Sequence, residues 1–187
     1  EFDHEEAVQV VKAVAELHRL TLGYEADYVS NREPLNADYC LKIIESKSTD
    51  RHEWLRGELA TLQIPTGMPR GICHADVNYG NFLFKNNKVT AVLDFDMSFY
   101  GDLVYDVANL IYWWAWPPKS SLKLEEAKII VHEYHKYRPL TDAEKQSIFD
   151  YLKLIVLLGI SWSSDEEFDA EKEKIDALNR IGRISFA

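Results

Sequence analysis

The chain has 187 residues, of which 47% are hydrophobic, and this is enough for one compact domain with a buried core. Asp and Glu (31) outnumber Lys and Arg (21), so the formal net charge is −10. This charge argues against a nucleic-acid backbone or an anionic membrane as the main partner, because both bind basic surfaces. The two cysteines, Cys40 and Cys73, form no CxxC pair, which favours reduced thiols and a cytoplasmic protein. No apolar stretch has the length of a membrane-spanning helix.

The N-terminal part of the chain has helical patterns. Asp3 and Glu6 form a capping-box pair, which predicts a helix from there to about Thr21. Residues 39–62 are mostly helical in pattern, with a break around residues 46–50. Because the chain begins without Met and directly in the first helix, we expect it to be part of a longer protein.

The pattern changes to short strands in the middle of the chain. Residues 71–74, 81–85 and 88–93 are strand-like, the last being rich in Val and Thr. Asn86 and Asn87 predict a tight turn, because Asn tolerates positive φ. The last two segments should therefore form a hairpin, which must pack on helices because two strands alone are marginally stable.

The C-terminal part returns to helices. The predicted helices span residues 104–114, 122–137, 141–158 and 165–183. Pro117 should end the first of them, and the Thr141–Glu144 capping box should open the third. The predicted fold class is mainly α with a small β-hairpin (α+β). Residues 1–187 form one domain, divided into a helical lead-in (1–70), the loop and hairpin segment (71–96) and a helical subdomain (97–187).

The residues that carry chemistry lie in three segments. Residues 74–81 are HADVNYGN, residues 94–96 are DFD, and residues 101–106 are GDLVYD. Phosphoryl transfer needs a carboxylate that orients the acceptor hydroxyl and hard oxygen ligands for magnesium. Asp76 and Asn81 have the spacing of the catalytic Asp and the metal-binding Asn of a kinase loop. Asp94 follows the hairpin, where the second metal ligand of a kinase stands.

These three motifs together resemble the aminoglycoside phosphotransferase / choline kinase / homoserine kinase superfamily, small-molecule kinases with a protein-kinase-like fold. The resemblance rests on the pattern from His74 to Asn81, on Leu93-Asp94-Phe95, and on the segment 101–108. Within the superfamily the chain most resembles the homoserine kinase branch. The residues that carry this finer resemblance are Ile64, Pro65, Pro69, Arg70, Gly71, residues 137–141 and Glu144. Residues 77–80 depart from that branch, which more often has Leu-Phe-x-Asp there.

The resemblance implies a role for each site residue. Asp76 is the expected catalytic base, acting with Asn81, and Asn81 and Asp94 are the expected magnesium ligands. His74 and Asp106 are expected to support the catalytic loop. The candidates for substrate contact are Asn78, Tyr79 and Asp96. Each residue also has a purely structural interpretation, such as a loop-capping Asp or an Asn in an Asx turn.

The resemblance covers only the C-terminal lobe of these kinases. Their N-terminal lobe, with its nucleotide-binding Lys and phosphate loop, has no counterpart here, because only 73 helix-patterned residues precede His74. We therefore expect the missing lobe in the same native chain or in another chain. The expected activity is ATP- and Mg²⁺-dependent phosphorylation of a small-molecule hydroxyl. An amino alcohol such as homoserine, or an aminoglycoside- or choline-like compound, is the expected acceptor.

Two other functions are compatible with the sequence. The chain could be a catalytically incomplete kinase-like lobe that binds a metabolite or a protein. It could also be a metal-dependent hydrolase built on Asp76, Asp94 and Asp96. The aromatic residues Trp113, Trp114 and Trp116 either pack in the core and its groove or form a wall of the acceptor site, since aromatic faces attract amines.

Overall fold

The computed structural model describes residues 4–24, 33–45, 49–117 and 120–186. Its helices are α1 (His4–Thr21), α2 (Ala37–Ile44), α3 (Thr49–Leu59), α4 (Val104–Trp114), α5 (Leu124–Tyr137), α6 (Asp142–Trp162) and α7 (Asp165–Ile181). Its strands are β1 (Arg70–Cys73), β2 (Phe82–Lys85), β3 (Lys88–Val92) and β4 (Phe99–Asp102). Short 3₁₀ turns at Tyr79–Asn81 and Phe95–Met97 flank the β2–β3 hairpin.

Side-chain caps fix the beginnings of several helices. The Asn36 side chain accepts a hydrogen bond of 2.9 Å from the N–H of Tyr39 at the start of α2. Thr141 and Glu144 form the predicted capping box of α6, in which each side chain accepts from the backbone of the other residue. The pair proposed for α1 includes Asp3, which lies outside the described residues.

Helices α4 and α6 form the centre of the core. Almost every residue of α4 is buried, and α6 is buried along most of its length. These two helices pack against each other, α5 packs on α4 and α1, and α7 covers the outer side of α6. The charged α7 is amphipathic, because its Ile175 and Leu178 are fully buried. No helix within the described ranges is long and apolar enough to cross a membrane.

The predicted fold class is confirmed, with one correction to the sheet. The sequence predicted a single hairpin, and β2 and β3 do pair antiparallel, with a bulge between Leu83 and Phe84. A second two-stranded sheet pairs β1 with β4, from Arg70 opposite Asp102 to Cys73 opposite Phe99. The sequence did not predict β4, because its partner is distant in the chain and no turn pattern joins them.

The other differences concern helix ends. Helix α6 continues to Trp162, beyond the predicted end near Leu158. Gly159 lies within the helix and does not end it. The predicted break spans residues 46–50, of which 46–48 lie outside the described residues. Residues 49 and 50 do not belong to a break, because α3 begins at Thr49.

Candidate active site

Two asparagines hold the carboxylate of Asp76 after β1. The Asn78 side chain donates to Asp76 Oδ1 at 2.8 Å, and Asn81 Nδ2 donates to Asp76 Oδ2 at 2.9 Å. Asn81 Nδ2 also donates to the backbone oxygen of Asp76 at 2.8 Å. The 3₁₀ turn that carries Asn81 begins with Asn78, whose Oδ1 accepts from the N–H of Gly80 at 2.7 Å. These hydrogen bonds therefore fix the orientation of the Asp76 carboxylate. None of them comes from a basic side chain.

The backbone before Asp76 is held in an unusual conformation. Ala75 has a φ of 69°, in the left-handed region that disfavours a Cβ atom. Its N–H donates to Asp106 Oδ1 at 2.9 Å, and its carbonyl accepts from Asn109 Nδ2 at 2.7 Å. The N–H of His74 donates to Asp106 Oδ2 at 2.6 Å. Helix α4 thus imposes this turn on the loop from two of its own buried polar residues.

His74 connects the loop with the end of the hairpin. Its Nε2 donates to the carbonyl of Leu93 at 2.9 Å, and its Nδ1 accepts from the N–H of Asp76 at 3.3 Å. One ring nitrogen donates and the other accepts, which is the pattern of a singly protonated imidazole. The ring also packs against Phe82 and Phe95, with centroids 6.2 and 4.6 Å away. These contacts connect the loop to the hairpin, and the supporting role of His74 stays a prediction.

The hairpin brings Asp94 back beside the loop that carries Asp76 and Asn81. Asn86 and Asn87 both have positive φ, 52° and 57°, and form the tight turn. The N–H of Leu93 then donates to the carbonyl of Asn81 at 2.8 Å. Asp94 follows with a φ of 59°, and its exposed carboxylate accepts from the N–H of Asp96 at 3.4 Å. Asn81 and Asp94 are therefore neighbours in space although the hairpin separates them in sequence.

The oxygens near this junction suit a hard divalent cation. The Asn81 amide uses its nitrogen for both bonds to Asp76, so its oxygen is the group that could bind a metal. The exposed carboxylate of Asp94 adds a second hard donor. In the described part of the chain no three His, Cys, Asp or Glu side chains converge on one point.

A buried chain of polar side chains extends from Asp106 away from the loop. His18 Nε2 donates to Asp106 Oδ2 at 3.0 Å, and His18 Nδ1 lies 2.6 Å from the hydroxyl of Tyr134. That hydroxyl accepts from Arg138 Nη1 at 3.2 Å, and the same nitrogen donates to Glu144 Oε1 at 2.8 Å. His18 lies on the buried face of α1, and the helical pattern of this segment did not predict its role. The sequence signal for such a role is a polar residue at a position of the helix that faces the core.

A cavity of about 290 Å³ opens beside Asp76, between α4 and α6. Its lining residues include Asp76, Met97, Tyr112, Trp113, Gly159 and Trp162. Trp114 is instead buried, and its indole N–H donates to the carbonyl of Val77 at 2.9 Å. Trp114 therefore packs in the core, whereas Trp113 lines the cavity.

The three predicted substrate contacts do not line this cavity. Asn78 contacts the Asp76 carboxylate, and the Tyr79 hydroxyl donates to the carbonyl of Trp113. Asp96 is exposed in the turn after Asp94. Their contact with an acceptor stays a prediction.

Burial lowers the reactivity of the thiol next to the loop. Cys73 is fully buried, and this burial raises the pKa of its thiol well above the usual value, with Asp106 and Asp102 adding to the effect. Burial likewise raises the pKa of the Tyr105 hydroxyl. Neither group is therefore an ionised nucleophile near neutral pH.

Comparisons with known proteins agree with this geometry. The model of the phosphotransferase enzyme family matches residues 3–140. A homoserine kinase of Methylocella silvestris is 33% identical over 145 residues, which are 73% of this chain and 44% of that protein. The structure of amicoumacin kinase in complex with AMP-PNP, Ca²⁺ and Ami superposes with a TM-score of 0.62 at 22% identity, over 97% of this chain and 60% of that one. A choline/ethanolamine kinase family protein from Mesorhizobium loti has a TM-score of 0.62 at 18% identity, over 92% of this chain and 61% of that one. The chain thus spans less than half the length of the homoserine kinase.

Proposed function

Because this chain belongs to the phosphotransferase enzyme family, we propose that it is the acceptor-binding and catalytic part of an ATP- and Mg²⁺-dependent kinase for a small-molecule hydroxyl. The observation that carries the proposal is the Asp76 carboxylate, which Asn78 and Asn81 hold beside a cavity of about 290 Å³. The cavity is at the small end of the range for ligand sites.

Asp76 is the group that meets the acceptor. Its carboxylate accepts the hydrogen bond of the acceptor hydroxyl and aims the oxygen at the γ-phosphoryl group of ATP. It takes the hydroxyl proton as the new P–O bond forms and the bond to the ADP leaving group breaks. Two hydrogen bonds from neutral amides orient the carboxylate and leave its charge uncancelled. The strained backbone at Ala75, held by Asp106, keeps this carboxylate in place as the substrate binds.

Asn81 and Asp94 are the residues that would hold the magnesium ion of the nucleotide. Both supply oxygen donors, as magnesium prefers, and nucleotide phosphates and water complete its coordination in kinases. When bound, the ion neutralises charge on the phosphate oxygens. The AMP-PNP in the amicoumacin kinase complex supports nucleotide use by this fold.

The proposal includes a partner for this lobe. In kinases a small lobe supplies the Lys that binds the nucleotide phosphates, and the chain spans only 44% of its homoserine kinase relative. We therefore propose that such a lobe acts with this one in the cytoplasm, within the same native protein or from a second chain.

The test is an Asp76→Asn variant of the whole native protein, assayed with Mg-ATP and a panel of amino alcohols. Because the variant keeps the size of the side chain and loses the proton acceptor, kcat should fall about 10²- to 10⁴-fold. The matched control is Asp176→Asn on the exposed face of α7, which should leave kcat and the melting temperature unchanged.

A different outcome would favour one of the other functions. Near-normal turnover of Asp76→Asn would remove this residue from catalysis and defeat the proposal. Binding of an amino alcohol without any turnover by the native protein would favour a binding module. Release of inorganic phosphate without a phosphorylated acceptor would favour a hydrolase.

A further inference from the structure

We propose that the cavity beside Asp76 takes a small hydroxylated ammonium compound that carries no carboxylate, in preference to an amino acid such as homoserine. The inference rests on the proposed function, since it names the acceptor class of that same site. It follows from the size of the cavity, from its aromatic walls and from its charge.

The size of the cavity restricts the acceptor to a small molecule. Its volume of about 290 Å³ lies between the central helices α4 and α6. In α6, Gly159 lines the cavity, and a Cβ atom built on it meets no heavy atom within 4 Å. Free space therefore continues up to the backbone of this helix.

Aromatic rings line the cavity together with Asp76. Tyr112 and Trp113 are consecutive on α4, with ring centroids 5.4 Å apart and planes at 85°, so they present faces in two directions. Trp162, near the end of α6, adds a half-exposed indole. Aromatic faces attract ammonium groups, most strongly where water is excluded.

The ammonium group of a lysine side chain already contacts one of these rings. Lys174 of α7 places its Nζ 5.1 Å from the centroid of Tyr112 and 3.1 Å from the tyrosine hydroxyl. The same Nζ forms an ion pair of 2.7 Å with Glu171. The carboxylate of Glu171, on the same helix, therefore compensates the charge of Lys174. Lys174 is not among the residues that line the cavity.

The charge of the lining decides between an amino alcohol and an amino acid. Among the described residues that line the cavity, Asp76 has the one carboxylate. None of the lining residues is Lys, Arg or His. A substrate carboxylate would lose its water there without a cationic partner, which is costly. A substrate ammonium would lie against ring faces while its hydroxyl reaches Asp76.

The experiment compares three ligands that differ only in the groups at issue. Homoserine, 3-aminopropan-1-ol and butan-1-ol share a three-carbon chain with a hydroxyl at one end. The second lacks the carboxylate of the first, and the third has a methyl group in place of the ammonium group of the second. Binding to this chain is measured by isothermal titration calorimetry without nucleotide, so the result does not depend on turnover.

We expect 3-aminopropan-1-ol to bind at least about tenfold more tightly than either of the other two. Gly159→Leu, which fills the cavity, should weaken this binding at least about tenfold. Gly57→Leu is the matched control, since Gly57 lies in helix α3, also has open space around it and faces solvent. If Gly159→Leu does not fold, as judged by circular dichroism, Trp113→Leu replaces it and should weaken binding in the same direction.

Several outcomes would overturn the inference. They are equal or tighter binding of homoserine, equal binding of butan-1-ol, and no measurable binding of 3-aminopropan-1-ol at millimolar concentration. Lys174→Met tests the cation that contacts the lining residue Tyr112. If homoserine binds the wild type and loses affinity in this variant, Lys174 recognises the carboxylate and the inference is wrong.

The failure of this inference and that of the proposed function are distinguishable. A reversed ligand preference together with a large loss of turnover in Asp76→Asn would leave the kinase function standing. The expected ligand preference together with unchanged turnover in Asp76→Asn would leave the binding site standing and remove the catalytic assignment.

Discussion

At the scale of single residues, the candidate site depends on one backbone conformation. Ala75 has a positive φ, although its side chain disfavours that region by about 1–2 kcal/mol. The hydrogen bonds from Ala75 to Asp106 and from Asn109 to Ala75 hold it there. Such strain is sustained only where the surrounding structure determines the conformation, which is typical of functional loops.

The first prediction compares two substitutions of this alanine. Ala75→Gly should leave the free energy of unfolding unchanged or raise it by up to about 1 kcal/mol, because glycine adopts positive φ without strain. Ala75→Val should lower it by about 2 kcal/mol or more, because a β-branched side chain is a marked outlier there. Urea unfolding measures both values. Ala127→Gly in the buried part of α5 is the matched control and should lose about 1 kcal/mol. A loss in Ala75→Gly as large as in this control would contradict the argument.

At the scale of elements, a buried ion pair ties α5 to α6 and, through Tyr134, to the loop. Arg138 and Glu144 lie 2.8 Å apart with side chains that are 5% and 0% exposed. Glu144 also accepts from Thr141 in the capping box of α6, so this carboxylate serves the helix and the ion pair together. Removing one partner of such a pair leaves a buried charge, which costs about 3–5 kcal/mol.

The second prediction is a double-mutant cycle on this pair. Arg138→Met leaves the Glu144 charge buried, whereas Glu144→Gln keeps an acceptor for the capping box and removes the charge. The double variant should therefore lose at least about 1 kcal/mol less than the sum of the single losses. Chemical denaturation of the four proteins gives this coupling energy.

The matched control is the exposed pair of Glu125 and Lys128 on the same helix, which are 2.7 Å apart. The same cycle there should give a coupling below about 0.5 kcal/mol, because water screens the charges. Similar coupling energies in both cycles would show that burial does not strengthen the interaction between Arg138 and Glu144.

Local patterns were sufficient to predict most elements. The apolar run of α4 gave its exact bounds, and the Asn86-Asn87 turn gave the hairpin, because both signals are contained in neighbouring residues. Strand β4 was missed because it pairs with β1, and a distant partner leaves no local signal in a short strand. The buried chain from Asp106 through His18 to Tyr134 was missed for the same reason, since its contacts join α1 to the distant helices α4 and α5.

The motif spacing predicted which site residues come together, but it did not predict the cavity. The backbone hydrogen bond from Leu93 to Asn81 brings Asp94 to the loop that carries Asp76, as the hairpin implied. The cavity depends on the packing of α4 against α6, which no motif describes. The contact that Asn78 makes with Asp76, instead of with the cavity, likewise depends on the conformation of the loop.

At the scale of the whole molecule, the core contains several acidic groups in their neutral form. Burial raises the pKa of the Cys40 thiol to about 11 from the ordinary value of 9.0. Burial also raises the pKa values of Cys73, Tyr105, Tyr134 and Tyr151. In the unfolded chain these groups ionise at lower pH, so above that point the folded state binds more protons than the unfolded state.

The third prediction is a loss of stability at alkaline pH. Because these pKa values are raised on folding, the stabilisation is complete below the pKa values of the unfolded chain, near pH 9 for a thiol, and falls as the pH rises toward the folded values. The slope for each fully shifted group is about 1.4 kcal/mol per pH unit. Urea unfolding at a series of pH values from neutral to about 11 measures this slope.

Cys40→Ala separates the buried thiol from the general effect of rising negative charge. The variant keeps the tyrosines and the net charge of −10 at neutral pH, but it lacks the group that should titrate between pH 9 and about 11. Its stability should therefore fall less steeply than that of the wild type over this interval, even though its stability at pH 7 is lower from the lost packing. Parallel curves for the two proteins would mean that Cys40 has the same pKa in the folded and unfolded chains. The alkaline loss would then come from Cys73, from the tyrosines or from the loss of lysine charge on this acidic chain.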